Sequence, residues 1–399
     1  MTSRSHAQEL DRADPLGGAR KRFDLPPGVV YLDGNSLGAA PAGVADALAG
    51  IHRQWRDHLI KGWTDDGWLT APLRVGDRIG RLIGAAPGQT VTGDSTSVQW
   101  FNALTTAARL RPDRRIVLAD TDAFPTDRYL TDSVARLLGL EVRAVPAGRF
   151  GAALAELGER VAVVAASPVD FRTGERLDLA EVTAAAHAAG AVTVWDLCHA
   201  AGALDISVDA AGVDLAVGCS YKFLSGGPGA PAYVYVAERH RAATDQPLTG
   251  WLSHAAPFDM AAGYRPAADM SRFRIGAPHM LSLTALDAAL DAFDGLSMAD
   301  VQAKNLALGA FFIACADAHL AGRGFDLVTP REGHRRGSQV TLSHPRAAAL
   351  MDGLAAHGVI GDVRPPALLR FGFNSLYVSY TDIHRAVMAL RLLTEPADA

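Results

Sequence analysis

From position 114 onward the chain alternates short, valine-rich apolar runs with alanine-rich stretches of helical spacing. The runs fall at 116–118, 161–166, 192–195 and 215–217. Their apolar positions are consecutive rather than alternate, the pattern of strands buried on both faces of a parallel sheet. With helices between them they make βα units, so the fold expected is an α/β large domain around a mostly parallel central sheet. A helix is predicted over 178–189; Gly190 stands where a left-handed residue ends a helix, and a strand resumes at once. Past 296 the pattern changes to a helix through 303–319, a strand at 339–342, a helix at 346–357, a strand at 368–373 and a helix at 381–393. That succession reads as a smaller α+β domain. The expected division is 1–60 as an N-terminal arm and part of the small domain, 61–296 as the large domain and 297–399 as the C-terminal small domain. The first 25 residues are predicted to form a partly ordered arm against a partner subunit.

Composition narrows the class. A chain of 399 residues fits two domains at roughly 100–200 residues each. Hydrophobic residues make up 49%, charged residues 20%, and the formal net charge is −5, so there is no basic field for nucleic acid and the partners expected are small molecules. Residues 1–22 are polar, and no apolar run approaches the roughly 20 residues of a membrane span. The expectation is a cytoplasmic protein without membrane contact. Cys198, Cys219 and Cys315 show no CxxC spacing, which argues against a disulfide framework and against a metal site, and leaves buried thiols.

Lysine is scarce: Lys21, Lys61, Lys222 and Lys304 are the only ones, arginine carrying almost all the positive charge. Lys222 stands in the apolar, glycine-rich run Ser220-Tyr221-Lys222-Phe223-Leu224-Ser225-Gly226-Gly227. An amine among apolar neighbours is expected to have a lowered pKa and to attack an aldehyde, as arginine cannot; proteins hold pyridoxal 5'-phosphate in this way. The alternative is a surface lysine snorkelling from a strand end. Asp196 follows the run 192–195, and in open α/β sheets ligands lie at the carboxyl ends of strands. An acid there pairs with a pyridine nitrogen and keeps it protonated, or it caps the next helix. Asp196 and Lys222 each follow a strand, so both can face one ring. His199, three residues on, reaches the same ligand or is a satisfied structural histidine. Ser95, Thr96 and Ser97 precede a helical stretch, where hydroxyls and free N–H groups hold a phosphate, cap the helix, or both. Trp63 and Trp68, in a loop-like stretch with two glycines, are candidates to stack on an aromatic substrate.

In this order the pieces resemble the kynureninases. The resemblance rests on Tyr31-Leu32-Asp33-Gly34-Asn35-Ser36-Leu37-Gly38, Phe124-Pro125-Thr126-Asp127, the lysine segment from Tyr221 to Pro231 with Tyr233-Val234-Tyr235-Val236, Gly250-Trp251-Leu252-Ser253-His254, Phe273-Arg274-Ile275-Gly276, and Leu369-Arg370-Phe371-Gly372 with Leu376-Tyr377. It covers nearly the whole chain. It implies the PLP-dependent transferase fold type I, a homodimer with shared active sites, and hydrolysis of L-kynurenine to anthranilate and L-alanine in tryptophan degradation. By this resemblance Lys222 bonds to the cofactor and Asp196 pairs with its pyridinium. Ser95 and Thr96 hold the phosphate with Tyr221 and Trp251, the last from the second subunit. Phe124 stacks on the ring, Asp127, Ser167 and His199 line it, and Tyr221 is the candidate proton donor. Arg370 clamps the substrate carboxylate, a task suited to a planar guanidinium, while Asn35, Ser36, Trp63 and Gly276 line the substrate. At Ala277 the sequence departs from the family pattern, which carries threonine or asparagine. Only a backbone N–H is left to the cofactor there, a loss on the order of 1 kcal/mol, which bears on the choice between kynurenine and 3-hydroxykynurenine more than on cofactor binding.

Rival readings within the fold are an aminotransferase or a cysteine desulfurase. A desulfurase needs a mobile, exposed cysteine; Cys315 lies in the apolar helical stretch 311–315 and the other two flank the cofactor strands. An aminotransferase would leave 34–38 and the paired tryptophans unexplained. A non-catalytic sensor would be expected to have lost Lys222, Asp196 or Arg370, and all three are present.

Overall fold

A computed structural model describes residues 2–395. Seven strands make its central sheet: β1 (Thr90–Thr92), β2 (Ile116–Asp120), β3 (Glu141–Val145), β4 (Val161–Ala166), β5 (Val192–Asp196), β6 (Leu215–Gly218) and β7 (Tyr233–Val236). The order across the sheet is β1-β7-β6-β5-β4-β2-β3. Strands β3, β2, β4, β5 and β6 pair in parallel, and β7 runs against both its neighbours. The four apolar runs read from the sequence are β2, β4, β5 and β6. Strand β3 escaped that reading because it is an edge strand whose side chains are largely exposed, so no continuous apolar run marks it.

Both faces of the sheet are covered. On one, Val163, Val192, Val194, Leu215 and Val217 pack with Trp100, Leu104 and Ala107 of the helix Thr96–Arg109. On the other, Val161, Val164, Ala166, Trp195 and Ala216 join a core that continues into the C-terminal part of the chain. The predicted helix over 178–189 is Leu179–Ala188, with the Asp178 carboxylate accepting from Ala180 N and Glu181 N as its N-cap.

One buried acid fixes the two strands that matter most. Asp214, at the start of β6, accepts from Thr193 N at 2.7 Å and from Thr193 Oγ1 at 3.0 Å, at the start of β5. His187, Arg239 and His240 close on the same carboxylate at 2.7–2.8 Å. Burial alone would raise its pKa, but the hydrogen bonds from His240, His187 and Thr193 N hold it well below the ordinary carboxylate range.

The C-terminal part carries a second, antiparallel sheet of β8 (Asp326–Leu327), β9 (Gln339–Ser343), β10 (Asp362–Arg364) and β11 (Leu368–Gly372) in the order β10-β11-β9-β8. Helices Met298–His319 and Ala347–Ala356 pack with it, and Tyr380–Leu393 packs on those two helices. The N-terminal segment belongs to this region: Val30–Tyr31 pairs in parallel with Val359–Ile360, and Gly372 N donates to Leu32 O at 2.7 Å. The partly ordered arm expected from the sequence is instead a helix, Arg4–Ala13, docked on its own chain. Asp11 caps the helix Tyr380–Leu393 by accepting from Tyr380 N and Thr381 N at 2.7 and 3.1 Å. Asp14 forms a buried ion pair with Lys304 at 2.6 Å. A polar composition hid this docking: Ala7 and Leu16 are buried in the core with Leu10 packed against it, but the segment's other anchors are capping and ion pairing by ordinary-looking acids.

Asp214→Asn is expected to lower stability at pH 7 by about 3 kcal/mol, because the Arg239 cation and the hydrogen-bond donors around the carboxylate are left facing a neutral amide. Since the folded-state pKa is depressed, the stabilisation is present above the ordinary carboxylate range and is lost as pH falls below about 4. Thermal melts of both proteins should therefore stay a constant distance apart above that pH and draw together progressively as pH falls further below it.

Candidate active site

Strands β5 and β6 end side by side, with Asp196 opposite Val217 in the register. The chain then runs from Gly218 directly to Lys222, which brings both functional groups to the carboxyl edge of the sheet. They line a cavity of about 290 Å³, in the range of pockets that hold one small organic molecule. Asn35, Ser36, Thr96, Phe124, Asp127, Ser167, Asp196, His199, Tyr221, Lys222 and Arg370 all line it. Ser95, Trp63, Trp251, Gly276 and Ala277 do not. Ser95 is the exposed N-cap of the helix Thr96–Arg109, accepting from Val98 N. Trp251 is 41% exposed, and Gly276 and Ala277 are exposed as well. Trp63 packs edge-on against Trp68 at 6.1 Å. Trp68 is a packing residue: it is buried, donates to Gln54 Oε1 at 3.1 Å, and leaves no room for a side chain at Gly62.

Lys222 Nζ lies 3.1 Å from His199 Nε2 and 5.9 Å from the centre of the Phe124 ring. The sequence reading expected a lowered lysine pKa, and the structure reverses it. Burial pushes the amine down, but Cys219, Cys198 and the Asp196 carboxylate together push harder in the other direction, and the pKa stands above its ordinary value. The apolar run that surrounds Lys222 in sequence is not what surrounds its amine in space. His199 goes the other way: burial, then the charges of Lys222, Arg370 and Arg364, hold it well below the ordinary imidazole value. It is a neutral ring that accepts from the Lys222 ammonium through Nε2, with its buried Nδ1 unpartnered.

Two carboxyls meet at the base of the cavity. Burial, the Asp196 charge and a hydrogen bond to Asp196 push the Asp127 carboxyl well above its usual range, so Asp127 is the protonated member of the pair. Asp196 Oδ1 also accepts from Cys198 N at 2.9 Å, a turn rather than a helix cap, since no helix follows it. Cys219 N donates to Cys198 Sγ at 3.1 Å, and all three cysteines are buried, as expected. Burial first, then Cys219, raises the Tyr221 phenol above its ordinary value and keeps it protonated.

The loops around these groups carry strain. Asp94, just before the N-cap Ser95, has φ 52, and Ser225, in the lysine loop, has φ 56. Left-handed non-glycine residues cost roughly 1–3 kcal/mol and persist where their surroundings over-determine them. Thr96 Oγ1, at the first turn of the same helix, is buried without a partner. The segment Asp33–Gly38 closes over the lysine loop, Gly38 N donating to Tyr221 O at 2.8 Å. A Cβ at Gly38 would lie 2.3 Å from Lys222 O.

Opposite the carboxyl pair the wall is cationic. Arg370, fully buried, donates from Nε to Asp362 Oδ1 at 2.7 Å, from Nη2 to Asp362 Oδ2 and to Ser36 Oγ, and from Nη1 to Phe171 O. Arg364 lines the cavity too, its Nη2 2.9 Å from Asp362 Oδ2. Burial and the Asp362 charge push the nearby Asp33 carboxyl up to about 6. The sequence reading did not single out Asp362 or Arg364. Their signal was the alternation of Asp362 and Arg364 two residues apart on a short strand, too brief a period to detect.

Comparisons with known proteins give one consistent picture. The family profile described as Kynureninase C-terminal domain matches residues 301–390. The kynureninase of Deinococcus radiodurans is 46% identical over 388 residues, covering 96% of this chain and 94% of that protein. That of Burkholderia pseudomallei is 42% identical over 400 residues, covering 98% and 95%. Among solved structures, a cysteine desulfurase from Thermococcus onnurineus aligns with a TM-score of 0.81 at 16% identity, over 94% of this chain and 97% of that one. A mutant of C-DES with glycine covalently linked to its PLP cofactor aligns with a TM-score of 0.80 at 16% identity, over 93% and 98%. At those identities the structural likeness establishes the fold alone.

The close approach at Gly38 yields a direct test. Gly38→Ala must displace the backbone of the lysine loop and is expected to destabilise the protein by about 2–3 kcal/mol. Thermal denaturation measures the loss, and a melting temperature equal to that of the unsubstituted protein would show that the two loops are not in contact.

Proposed function

The chain belongs to the kynureninase family, and on that premise we propose that the cavity between Lys222 and the guanidinium wall is its catalytic site. It is a hydrolase that uses pyridoxal 5'-phosphate to cleave L-kynurenine to anthranilate and L-alanine. The observation that carries the assignment of the site is the convergence in one cavity of an amine, a carboxyl pair sharing a proton, a helix N-terminus and a buried arginine. The residues suit the cofactor on the structure's own terms. Thr96 Oγ1 and His199 Nδ1 are buried there without partners, groups that cost about 1–3 kcal/mol each when unsatisfied, and the cofactor brings phosphate and phenolic oxygens. Thr96, with the free N–H groups of its helix, would hold the phosphate, Asp196 the pyridine nitrogen, and Lys222 Nζ the aldehyde carbon.

Bound there, pyridoxal phosphate supplies an aldehyde that couples to amines and a ring that draws electrons from the substrate. The rest falls to the side chains. Lys222 Nζ, as a free amine, would remove the α-proton of the substrate; His199, neutral, accepts a hydrogen bond from that amine while it is charged. Asp127 donates to Asp196 and so fixes the orientation of the acid that faces the ring nitrogen. Phe124 covers one ring face. Arg370 holds the substrate carboxylate, with Ser36, bonded to both Arg370 and Asp362, and Asn35 behind it. Hydrolysis adds water at the side-chain carbonyl, the bond to the β-carbon breaks, and that carbon needs a proton. Tyr221, a phenol kept protonated by burial, supplies it.

Ser95, the N-cap beside Thr96, would serve the phosphate of its own chain, while Trp63, Trp251, Gly276 and Ala277 fit the same scheme through a second subunit. Trp251, Trp55, Phe258 and Met260 are 41–73% exposed, apolar surface that supports a homodimer in which each chain completes the other's cavity. Trp251 and the Ala277 backbone would then reach the cofactor, and Trp63 and Gly276 the aromatic end of the substrate. The division at 60 and 296 and a cytoplasmic location stand as proposals from the sequence; among the described residues no helix is long and apolar enough to cross a membrane.

The holoenzyme is expected to release fluorescent anthranilate from L-kynurenine, with Lys222→Ala inactive, and to turn over 3-hydroxykynurenine less well. No anthranilate from cofactor-loaded protein would overturn the substrate assignment, and activity surviving in Lys222→Ala would overturn the site.

A further inference from the structure

Arg370 is the side chain assigned to the substrate carboxylate, yet its donors are nearly exhausted. A guanidinium has five N–H groups. Nε is committed to Asp362, both hydrogens of Nη2 to Asp362 and Ser36, and one of Nη1 to the Phe171 carbonyl. A single Nη1 hydrogen remains. Fork-like capture of a carboxylate uses two parallel donors, and Arg370 can offer the second only by releasing one of its present partners, Asp362, Ser36 or Phe171.

Arg364 has the donor that is missing. In the β10–β11 ladder Asp362 is opposite Arg370 and Arg364 is opposite Leu368, and strand alternation puts Asp362, Arg364 and Arg370 on one face. Arg364 Nη2 reaches the Asp362 oxygen that Arg370 also uses. Its Nη1 makes only a long contact of 3.4 Å to Val363 O, and its Nε is buried with no partner. Two guanidinium groups therefore share one carboxylate at the cavity wall. Burial and the Arg370 charge disfavour the Arg364 cation, and an anion arriving between the two relieves that repulsion.

We infer that the substrate carboxylate is shared, taking the free N–H of Arg370 and the unpartnered Nε–H of Arg364, so that Arg364 determines specificity for an α-carboxylate; this rests on the kynureninase reading of the cavity. The test compares wild-type and Arg364→Gln holoenzymes on L-kynurenine and on two inhibitors that differ only at the carboxylate, 4-oxo-4-phenylbutanoate and its primary amide. The substitution is expected to raise KM and the inhibition constant of the acid by roughly 10- to 100-fold, with kcat and the inhibition constant of the amide little changed. Equal weakening of acid and amide, an unaltered acid, or a loss confined to kcat would overturn the inference. Should Arg364→Gln fail to fold with cofactor, Arg364→Lys is read the same way: a reduced preference for acid over amide supports the sharing, and an unchanged preference overturns it. A wild type that makes no anthranilate would sink the kynureninase reading and this inference with it, whereas an active wild type indifferent to Arg364 removes this inference alone.

Discussion

The site depends on one register, that of β5 against β6. Asp196 and Lys222 meet because each lies just beyond the carboxyl end of one of two adjacent parallel strands, and a slip of one residue would turn Asp196 to the other face. The register is held at the opposite end by Asp214, whose carboxylate takes the backbone N–H and the hydroxyl of Thr193 while three cationic or hydrogen-bonding side chains close on it. The acid that organises the chemistry is thus positioned by another acid at the far edge of the sheet. Backbone pairing alone would tolerate local fraying at the ends of strands only four or five residues long; a buried, multiply bonded anchor at their starts removes that freedom.

Within the cavity, burial and Coulomb interaction compete, and the winner differs from residue to residue. For His199 and Asp127 burial comes first and leaves both neutral. For Lys222 the surrounding acids win and keep the amine protonated. Opposite charges about 4 Å apart gain on the order of 4 kcal/mol in a partly buried setting, enough to offset much of the desolvation of one amine but not to keep two adjacent carboxyls ionised. The outcome is a site with one proton between Asp127 and Asp196 and one ammonium donating to a neutral imidazole.

Some of this was legible in the chain and some was not, for reasons that differ by element. Strands buried on both faces announce themselves as valine runs, so β2, β4, β5 and β6 were readable, whereas the exposed edge strand β3 and the three-residue β10 carry too little apolar pattern. Lys222 and Asp196 were readable because each follows such a run. The sign of the Lys222 shift was not, because it depends on Cys198, Cys219 and Asp196 arriving from neighbouring segments. Arg370 could be read from its strand, but its exhaustion by Asp362, Ser36 and Phe171 is a property of three separate segments packed together. The docked helix Arg4–Ala13 was missed because its anchors, Asp11 and Asp14, look like ordinary surface acids until Thr381 and Lys304 are brought beside them.

The two ends of the cavity have different structural owners. Asp196 ends a strand of the central sheet, His199 and Lys222 follow its strands, and Asp127 stands in the first turn of the helix Pro125–Leu138, while Arg364, Arg370 and Asp362 come from the antiparallel sheet near the C-terminus. The segment Asp33–Gly38 joins them: Gly38 N bonds to Tyr221 O on one side, Ser36 Oγ donates to Asp362 at 2.8 Å on the other, and Asn35 Nδ2 reaches Gln339 Oε1 at 3.3 Å. Gly372, in β11, leaves no room for a Cβ because Asn35 Oδ1 would lie 2.0 Å away. Substitutions on the antiparallel sheet should therefore act on which anion is bound, and those on the central sheet on what is done to it. Changes within Asp33–Gly38 alter both, because that segment transmits the position of one wall to the other.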